Sequence, residues 1–307
     1  MKKIALVIFI FVLSKSYAQN TELTNAILNL KKFNLEKIEN TKEPIINNWV
    51  NFYKKGEKLD TLNIRGNKNE KYNNLLKIYL GDYFSNKKQD SIAFKHYLLA
   101  NKKALKNQDT LLINISLIKL CEIQFKLRNN RLLKQYLKIF DKYKKDETDL
   151  FYYHYYKIVD KINDNIDFNT TELPSFKKAE LYAENNHYLK GVLFNTMGLC
   201  YDIFTTNFEY AIINYRKSIA NYQYYDSFQT DLHIEGIEMN IAISNFKLEN
   251  YNEAIITFEK LLLNLKNNNL YKKQSLNRWL YKCYDKQKNF EKAIKHIKNA
   301  TKIKALF

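Results

Sequence analysis

Glycine and proline are scarce in this chain of 307 residues, which contains six Gly and two Pro. Sandwich and barrel folds need a turn about every ten residues, and those turns draw heavily on both residue types. Their scarcity disfavours an all-β fold and favours helices joined by short polar links. Hydrophobic residues make up 46% of the sequence, which is enough for a sizeable core. The composition therefore predicts an all-α protein.

Cysteine is also rare, and its three copies form no metal-binding or CxxC spacing: Cys121, Cys200 and Cys283. An export compartment allows a disulfide, but the two Cα atoms must then lie within about 7 Å of each other. The repeat pattern described below places each cysteine in the first helix of a different unit, near a buried small-residue position. We therefore expect three free, buried thiols.

The sequence lacks the motifs of the common catalytic sites, namely GxxxxGK, GxGxxG, GxSxG and HExxH. His96 and His296 occupy equivalent positions in two repeats, and a stacked architecture holds such positions far apart, so a ligand pair is not expected. A hidden active site in the third unit would need Asp160, His154 and His187 to converge. We predict that the protein is not an enzyme and has no catalytic residue, metal site or cofactor.

The first eighteen residues have the pattern of a secretory leader. Two lysines precede an apolar run from Ile4 to Leu13, and small residues follow at Ser16 and Ala18. The run is too short to cross about 30 Å of hydrocarbon, and no later stretch is long and apolar enough to do so. No Cys near the cut offers a lipid anchor. We expect residues 1–18 to be a signal peptide and the mature chain to be exported, periplasmic or extracellular, without a membrane span.

The formal net charge of +18, together with 24 Tyr, raises the question of a polyanionic partner. The lysines are spread along the chain without a cluster, and export makes a nucleic-acid partner less expected. The stretch FYYHYYK at 151–157 could be a stacking platform, but such rings more often bury their bodies and leave their hydroxyls in water. An anionic surface polymer or nucleic acid therefore remains the alternative partner, and the expectation is that no nucleic acid binds.

The sequence repeats itself with a period of about 40 residues. The segment NYNEAIITFEKLL from Asn250 has close copies in NFEKAIKHIKNAT from Asn289 and NFEYAIINYRKSI from Asn207, and weaker copies earlier. Most copies carry Ala, followed four positions later by a large apolar or aromatic residue. This pattern predicts a repeating inner spine: Tyr97, Leu137, Phe176, Tyr215, Phe258 and Ile297.

A second helical pattern precedes each copy, as in LFNTMGLCYDIF, so the repeating unit is a helical hairpin. The hairpins resemble tetratricopeptide repeats, whose first helix carries a large, a small and an aromatic residue, and whose second helix carries Ala, an aromatic and Ala. The resemblance covers roughly residues 72–303. It implies a right-handed superhelical solenoid of about six repeats over 70–307, preceded at 19–69 by an N-terminal helical cap or a degenerate repeat. The matches are Leu80, Gly81, Phe84, Ala93, Tyr97 and Ala100 in the first unit, Met197, Gly198, Tyr201, Ala211 and Tyr215 in the fourth, Ile241, Ala242, Tyr251, Ala254 and Phe258 in the fifth, and Leu280, Tyr284, Phe290, Ala293 and Ala300 in the sixth.

Three departures from the family pattern have structural consequences. The period is longer than usual for the family, which implies helices about a turn longer. The fourth unit has one residue inserted between its helices. The third has Asp160 at the small-residue position and Pro174 near the start of its second helix. Because proline is tolerated in a first turn and breaks a helix interior, we expect that second helix to begin late.

In such a stack the first helices line the concave surface, so the resemblance assigns binding to their outward-facing positions. An apolar floor flanked by cations suits an extended or helical peptide with acidic ends. The alternative is that Phe246 packs between units and that the lysines are simply solvated. The groove positions are Asn195, Leu199 and Asp202 in unit four, Met239, Ile243, Phe246 and Lys247 in unit five, and Arg278, Lys282 and Lys286 in unit six.

These features together predict a non-enzymatic scaffold of the cell envelope that binds a protein or peptide in its groove. The array is similar to the extracytoplasmic tetratricopeptide regions of bacterial sensor proteins, which implies a sensory or regulatory module. The C-terminal face, with Leu306 and Phe307, is open to a second copy, which predicts a homodimer.

Overall fold

The structure is a computed structural model that describes residues 21–38, 44–56, 70–163, 173–265 and 269–304. The leader predicted at 1–18, and Leu306 and Phe307 of the predicted dimer face, lie outside these ranges. All regular structure within them is helical, and the helices pack in consecutive pairs. The predicted all-α fold of stacked helical hairpins is confirmed.

The described ranges contain fourteen α-helices. Two of them precede the repeats: α1 at 21–31 and α2 at Pro44–Lys55. The first three hairpins are α3 (Glu70–Asn86) with α4 (Asp90–Lys106), α5 (Thr110–Lys126) with α6 (Asn130–Tyr143), and α7 (Glu147–Asn163) with α8 (Leu173–Tyr182). The next three are α9 (His187–Cys200) with α10 (Phe208–Tyr222), α11 (Phe228–Lys247) with α12 (Tyr251–Leu263), and α13 (Leu270–Lys286) with α14 (Phe290–Lys304). A 3₁₀ turn spans Leu35–Ile38 and a π turn spans Tyr201–Thr205.

Several turns between helices use a left-handed residue that is not glycine. After each of these residues, the next backbone amide donates to the carbonyl five residues back, at 2.9 to 3.1 Å. This is the hydrogen-bond pattern with which helices commonly end on glycine. The chain makes these turns with longer side chains instead, which explains how it folds into so many helices with six Gly. The residues are Lys88, Gln108, Arg128, Glu249 and Lys288, with φ of 59°, 54°, 53°, 63° and 58°.

Glycine lies where the two helices of a hairpin cross. A Cβ built on Gly81 would stand 2.2 Å from Cε1 of Tyr97, and one built on Gly198 would stand 2.5 Å from Cδ1 and Cε1 of Tyr215. Both tyrosines are buried, so the second helix can approach only where the first has no side chain. Three other members of the predicted spine are also buried, namely Leu137, Phe176 and Phe258, and Ile297 is partly exposed.

Two local irregularities occur where the sequence departs from the family pattern. The second helix of the third hairpin, α8, begins at Leu173 and has Pro174 in its first turn, where a missing amide costs no hydrogen bond. In the fourth hairpin, the π turn at Tyr201–Thr205 follows α9 and accommodates the extra residue before α10. Each of these two departures thus changes the helix geometry only at its own position.

The described residues form two compact units. Unit one holds the described residues up to Tyr188 together with Ser227–Gln229, and unit two holds Leu189–Asp226 and the described residues from Thr230 onward. Hairpins one to three therefore lie in unit one. Hairpins four to six lie almost entirely in unit two.

The N-terminal segment of unit one packs against the starts of several first helices. Lys31, the last residue of α1, pairs with Asp146 at 2.8 Å and with Asp149 at the start of α7. The side chains of Lys31 and Asp149 are 2% and 1% exposed, so this is a buried ion pair. Lys71, at the start of α3, donates to the hydroxyl of Thr24 in α1 at 3.1 Å. The helical N-terminal segment thus contacts both the first and the third hairpin.

The three cysteines are free and buried, as the sequence predicted. They lie in the first helices of three different hairpins. Within the described ranges, no helix combines the length and the hydrophobicity that a membrane crossing requires.

Candidate interaction surfaces

Two of the predicted groove residues form an ion pair between hairpins four and five. Asp202, in the π turn after α9, accepts two hydrogen bonds from Nζ of Lys247 at 2.8 and 2.9 Å, and one from the hydroxyl of Ser244 at 3.4 Å. The Lys247 ammonium also lies 4.9 Å from the ring centroid of Phe208. These charges therefore join neighbouring hairpins and are already paired. The other predicted residues of hairpin four are partly exposed: Asn195 and Leu199.

The predicted apolar floor lies against the core of hairpins five and six. Met239, Ile243 and Phe246 are only partly exposed and pack against a buried cluster that includes Phe258. The ring of Phe246 meets Trp279 of α13 edge-on, with centroids 5.5 Å apart. Phe246 therefore packs between two hairpins, and only part of the floor faces solvent.

The remaining three predicted residues form an exposed row of cations on α13. Arg278, Lys282 and Lys286 stand four residues apart and so project from one face of the helix. The Lys282 ammonium lies 4.3 Å from the ring centroid of Trp279. None of the three forms an ion pair with an acidic side chain of the described residues. We call these residues the α13 cation row.

A second polar cluster surrounds Asp82 in unit one. Its buried carboxylate accepts hydrogen bonds from Nε1 of Trp49 at 3.1 Å, the hydroxyl of Tyr53 at 2.5 Å and the hydroxyl of Tyr97 at 2.7 Å. Nζ of Lys119 lies 3.0 Å away. Donors from α2, α4 and α5 thus converge on one carboxylate of α3.

The same cluster continues along α5 through Lys119, Glu122 and Lys126. Glu122 lies 3.5 Å from Lys119 and 2.9 Å from Lys126. Burial alone would raise the pKa of Glu122, but the charges of Lys126 and Lys119 lower it to about 2. Burial alone would lower the pKa of Lys119, but Asp82 and its neighbours raise it well above its ordinary value. Since each of these charges has an opposite charge beside it, the cluster stabilises helix packing and offers no unpaired charge to a ligand.

The repeat register contains a signal that indicates these acids. Asp82 follows Gly81, and Glu122 follows Cys121, at the small-residue position of their first helices. The same offset gives three of the groove positions assigned in units four to six: Leu199, Ile243 and Lys282. Applying the groove assignment to the first two units would therefore have placed both acids on the first-helix face.

The aromatic stretch at 151–157 forms ring contacts within α7. Phe151 stacks on Tyr155 with centroids 5.9 Å apart, and Tyr152 stacks on Tyr156 at 6.1 Å. Phe151 and Tyr156 are buried, and the other two rings are partly exposed. Burial raises the pKa of Tyr152 and of Tyr156 above the ordinary value. This arrangement favours a packing role over an open stacking platform.

His96 and His296 have the same role in their two repeats. His96 stacks on Phe84 of α3 with centroids 5.4 Å apart, and His296 stacks on Tyr284 of α13 at 5.6 Å. Both partners occupy the aromatic position of the first helix, so each histidine packs within its own hairpin. Among the residues that the structure describes, no three His, Cys, Asp or Glu side chains are grouped to hold a metal ion.

The chain matches several proteins of known structure, among them BtubC and RapI. The crystal structure of BtubC (BKLC) from P. vanneervenii matches with a TM-score of 0.56 and 15% sequence identity, over 69% of this chain and 90% of that chain. The apo form of RapI matches with a TM-score of 0.48 and 13% identity, over 94% of this chain and 98% of that chain. No family model and no curated protein matches the sequence. At this identity, the likeness to BtubC concerns the fold alone.

Proposed function

We propose that the protein is a non-enzymatic interaction module that binds an acidic segment of another protein, or an acidic peptide, on the first-helix face of hairpins four to six. Stacked hairpins support this function because they present a row of first helices to one ligand. Grooves of this kind bind helical or extended polypeptides through a few apolar anchors and flanking charges.

The observation that carries the proposal is the α13 cation row. Like charges four residues apart destabilise a helix by about 0.2–0.5 kcal/mol per pair. Other charges on the first helices do pair between hairpins, as Asp82 does with Lys119 and Asp202 with Lys247. A row of three exposed cations that form no ion pair with the described residues, beside the aromatic ring of Trp279, is a surface that an acidic partner would neutralise.

The leader-like pattern at 1–18 supports a place for this module outside the cytoplasm, in the periplasm or the extracellular space. The resemblance to the extracytoplasmic regions of bacterial sensor proteins supports a sensory or regulatory role. In that role, occupancy of the groove would be the signal that the module passes to a partner protein.

A second candidate function is binding of an anionic surface polymer or nucleic acid. Its support is the net charge of +18. Such binding would depend on total charge spread over the surface, and its affinity would fall steeply with salt. Binding of a protein partner should therefore depend on the α13 cation row in particular, whereas binding of a polymer should depend equally on cations elsewhere on the surface.

Charge reversal with a matched control separates them. The test variant changes Arg278, Lys282 and Lys286 to Glu. The control changes Lys95, Lys102 and Lys106 to Glu, three exposed lysines on α4, and alters the net charge by the same amount. Wild type and both variants are crosslinked to bound proteins in cells and quantified by mass spectrometry. In parallel, polyphosphate binding is measured across a salt series.

The proposal predicts that the α13 variant loses a captured protein partner at least about tenfold while the α4 control retains it. Equal loss in both variants, together with polyphosphate binding that both weaken equally, would assign the surface to the polymer alternative. Retention of every partner by the α13 variant would refute the proposal.

A further inference from the structure

The last described hairpin leaves open an apolar stripe that earlier hairpins cover. The residue after the first repeat-position Ala of the second helix is Ile212 in hairpin four, Ile255 in hairpin five and Ile294 in hairpin six. Ile212 and Ile255 are each 7% exposed, and Ile255 shares a buried cluster with Leu276 and Leu280 of the next hairpin, whereas Ile294 is 51% exposed. Phe290, one turn earlier on α14, is 60% exposed. This stripe is the surface on which a further first helix would pack.

The packing of α13 on hairpin five shows what such a helix would meet. Trp279 of α13 stacks on Phe258 with centroids 5.9 Å apart and meets the edge of Phe246 at 5.5 Å. The residues at the same repeat positions in hairpin six are Ile297 and Asp285. A helix added to hairpin six would therefore lie over the α14 stripe and pass beside the α13 cation row, which flanks Asp285.

Charge determines what kind of helix fits there. Hairpin five, at 228–263, carries six acids and two lysines, and hairpin six, at 270–304, carries eleven Lys or Arg and two acids. The two hairpins are complementary, and Lys272 of α13 pairs with Glu235 of α11 at 2.5 Å. By the same complementarity, we expect a helix that packs on the cationic hairpin six to carry acids. Two copies of hairpin six facing each other would repel, which disfavours a second copy as the occupant.

We infer that the end face of hairpin six, formed by Phe290, Ile294, Ile297 and the α13 cation row, binds an amphipathic helix of another protein that has an apolar stripe and acidic flanks. This inference rests on the proposed function and specifies the form of its partner. The partner is helical, and it takes the place that a following first helix would occupy.

The probe for this site is a peptide based on α13, the helix that packs on hairpin five. It has the sequence of residues 270–287, with Ala in place of Cys283 and Glu in place of each Lys and Arg. The first control peptide keeps the lysines and arginine, so it has the same apolar stripe with the opposite charge. The second control is a scrambled form of the acidic peptide, which keeps the charge and loses the stripe. Binding is measured by fluorescence anisotropy to the full chain.

The protein variants separate the apolar stripe from the cations. In the first, Phe290 and Ile294 are changed to Ser, and both residues are exposed enough that the fold should tolerate the change. Its matched control is Ile256→Ser, since Ile256 is 61% exposed on α12 of the same unit. The charge-reversed α13 variant completes the set. Circular dichroism confirms that all variants remain helical.

The expected result is that the acidic peptide binds and that neither control peptide does. The stripe variant should bind at least about tenfold more weakly, because it loses the apolar side chains that the peptide would bury. Ile256→Ser should bind like wild type. Loss of binding on charge reversal but not in the stripe variant would refute the helical end-face site and leave the proposed function standing. No effect of either variant would refute both.

Two other results would assign the end face to a different occupant and so overturn the inference. Concentration-dependent dimerisation that the stripe variant abolishes would assign it to a second copy of the chain. Peptide binding that is seen only after removal of residues 305–307 would assign it to the chain's own C-terminus.

Discussion

The close crossing of the two helices in a hairpin can be tested with one pair of glycine substitutions in unit two. In Gly198→Ala, the new Cβ would stand 2.5 Å from the ring of Tyr215, which is 0% exposed and has no room to retreat. In Gly236→Ala, the new Cβ would meet nothing within 4 Å. Both glycines lie in helices, so both substitutions gain about 1 kcal/mol of helix propensity, and only one meets a clash.

The magnitudes follow from these distances. Overpacking a filled core typically costs about 1–3 kcal/mol, and a contact this short, on a fully buried ring, belongs at the upper end of that range. Gly198→Ala should therefore lower the free energy of unfolding of unit two by about 2 kcal/mol after the propensity gain. Gly236→Ala should raise it by about 1 kcal/mol.

The assay is urea unfolding followed by tryptophan fluorescence. The chain has two Trp, of which Trp279 lies in unit two, so a Trp49→Phe background makes the signal specific to that unit. A loss of about 2 kcal/mol corresponds to a fall of about 1 M in the urea midpoint for an m-value near 2 kcal/mol/M. If Gly198→Ala stabilised unit two as much as Gly236→Ala does, the close helix crossing, and the repeat register built on it, would be refuted.

Three further predictions concern unit one. Asp82→Asn removes the charge opposite Lys119 and replaces one of the two oxygens that accept hydrogen bonds from Trp49, Tyr53 and Tyr97 with an amide NH2 group, so urea unfolding should show a loss of about 3–5 kcal/mol. The exposed Asp285→Asn should show no measurable change. Lys31→Met leaves Asp149 buried without its cation, so amide hydrogen exchange in residues 21–38 should accelerate at least about tenfold. The control Lys32→Met, at an exposed position, should leave the exchange rates unchanged. Burial and the nearby lysines lower the pKa of His154 from 6.5 to about 4. The contribution of neutral His154 to the stability of unit one should therefore be fully present above about pH 6.5 and be lost as pH decreases through about 4. His154→Phe should make thermal unfolding less dependent on pH across this window, and an unchanged pH profile would contradict that assignment.

The hairpins could be predicted from the sequence because their determinants are local. The Ala and the aromatic residue four positions later lie on one helical face, and Gly81 and Gly198 mark the crossing within the same hairpin. The turns were harder to recognise from the sequence. The left-handed residue at the end of a helix is usually glycine, but here Lys88 and Glu249 adopt that conformation. Periodicity indicated the hairpins even where turn chemistry did not.

The N-terminal segment and the Asp82 cluster depend on contacts that no local pattern encodes. Lys31 and Asp146 are 115 residues apart in sequence, and each is an ordinary surface residue type. Only the fold reveals that α1 carries a buried cation that meets two acids near the start of α7. The acids of units one and two lay in a register that the repeat pattern already defined, so a groove assignment over all six hairpins would have included them.

In the structure, some of the predicted groove residues pack between hairpins, and others are exposed to solvent. Phe246 was correctly placed on a first helix, but the size of Trp279 in the next hairpin determines that its ring is largely used in packing. Asp202 and Lys247 were assigned independently to two units, and their ion pair depends on how those two hairpins stack. The α13 cation row is exposed, and none of its cations pairs with an acid of the described residues.

The most direct measurement is a hydrogen-exchange footprint of the full chain with and without the acidic α13-derived peptide. If hairpin six is the binding surface of this protein, amide protection should increase in Leu270–Lys304 and remain unchanged in the hairpins of unit one. Protection distributed along the chain, or centred on hairpins one to three, would contradict the assignment of binding to the end of unit two.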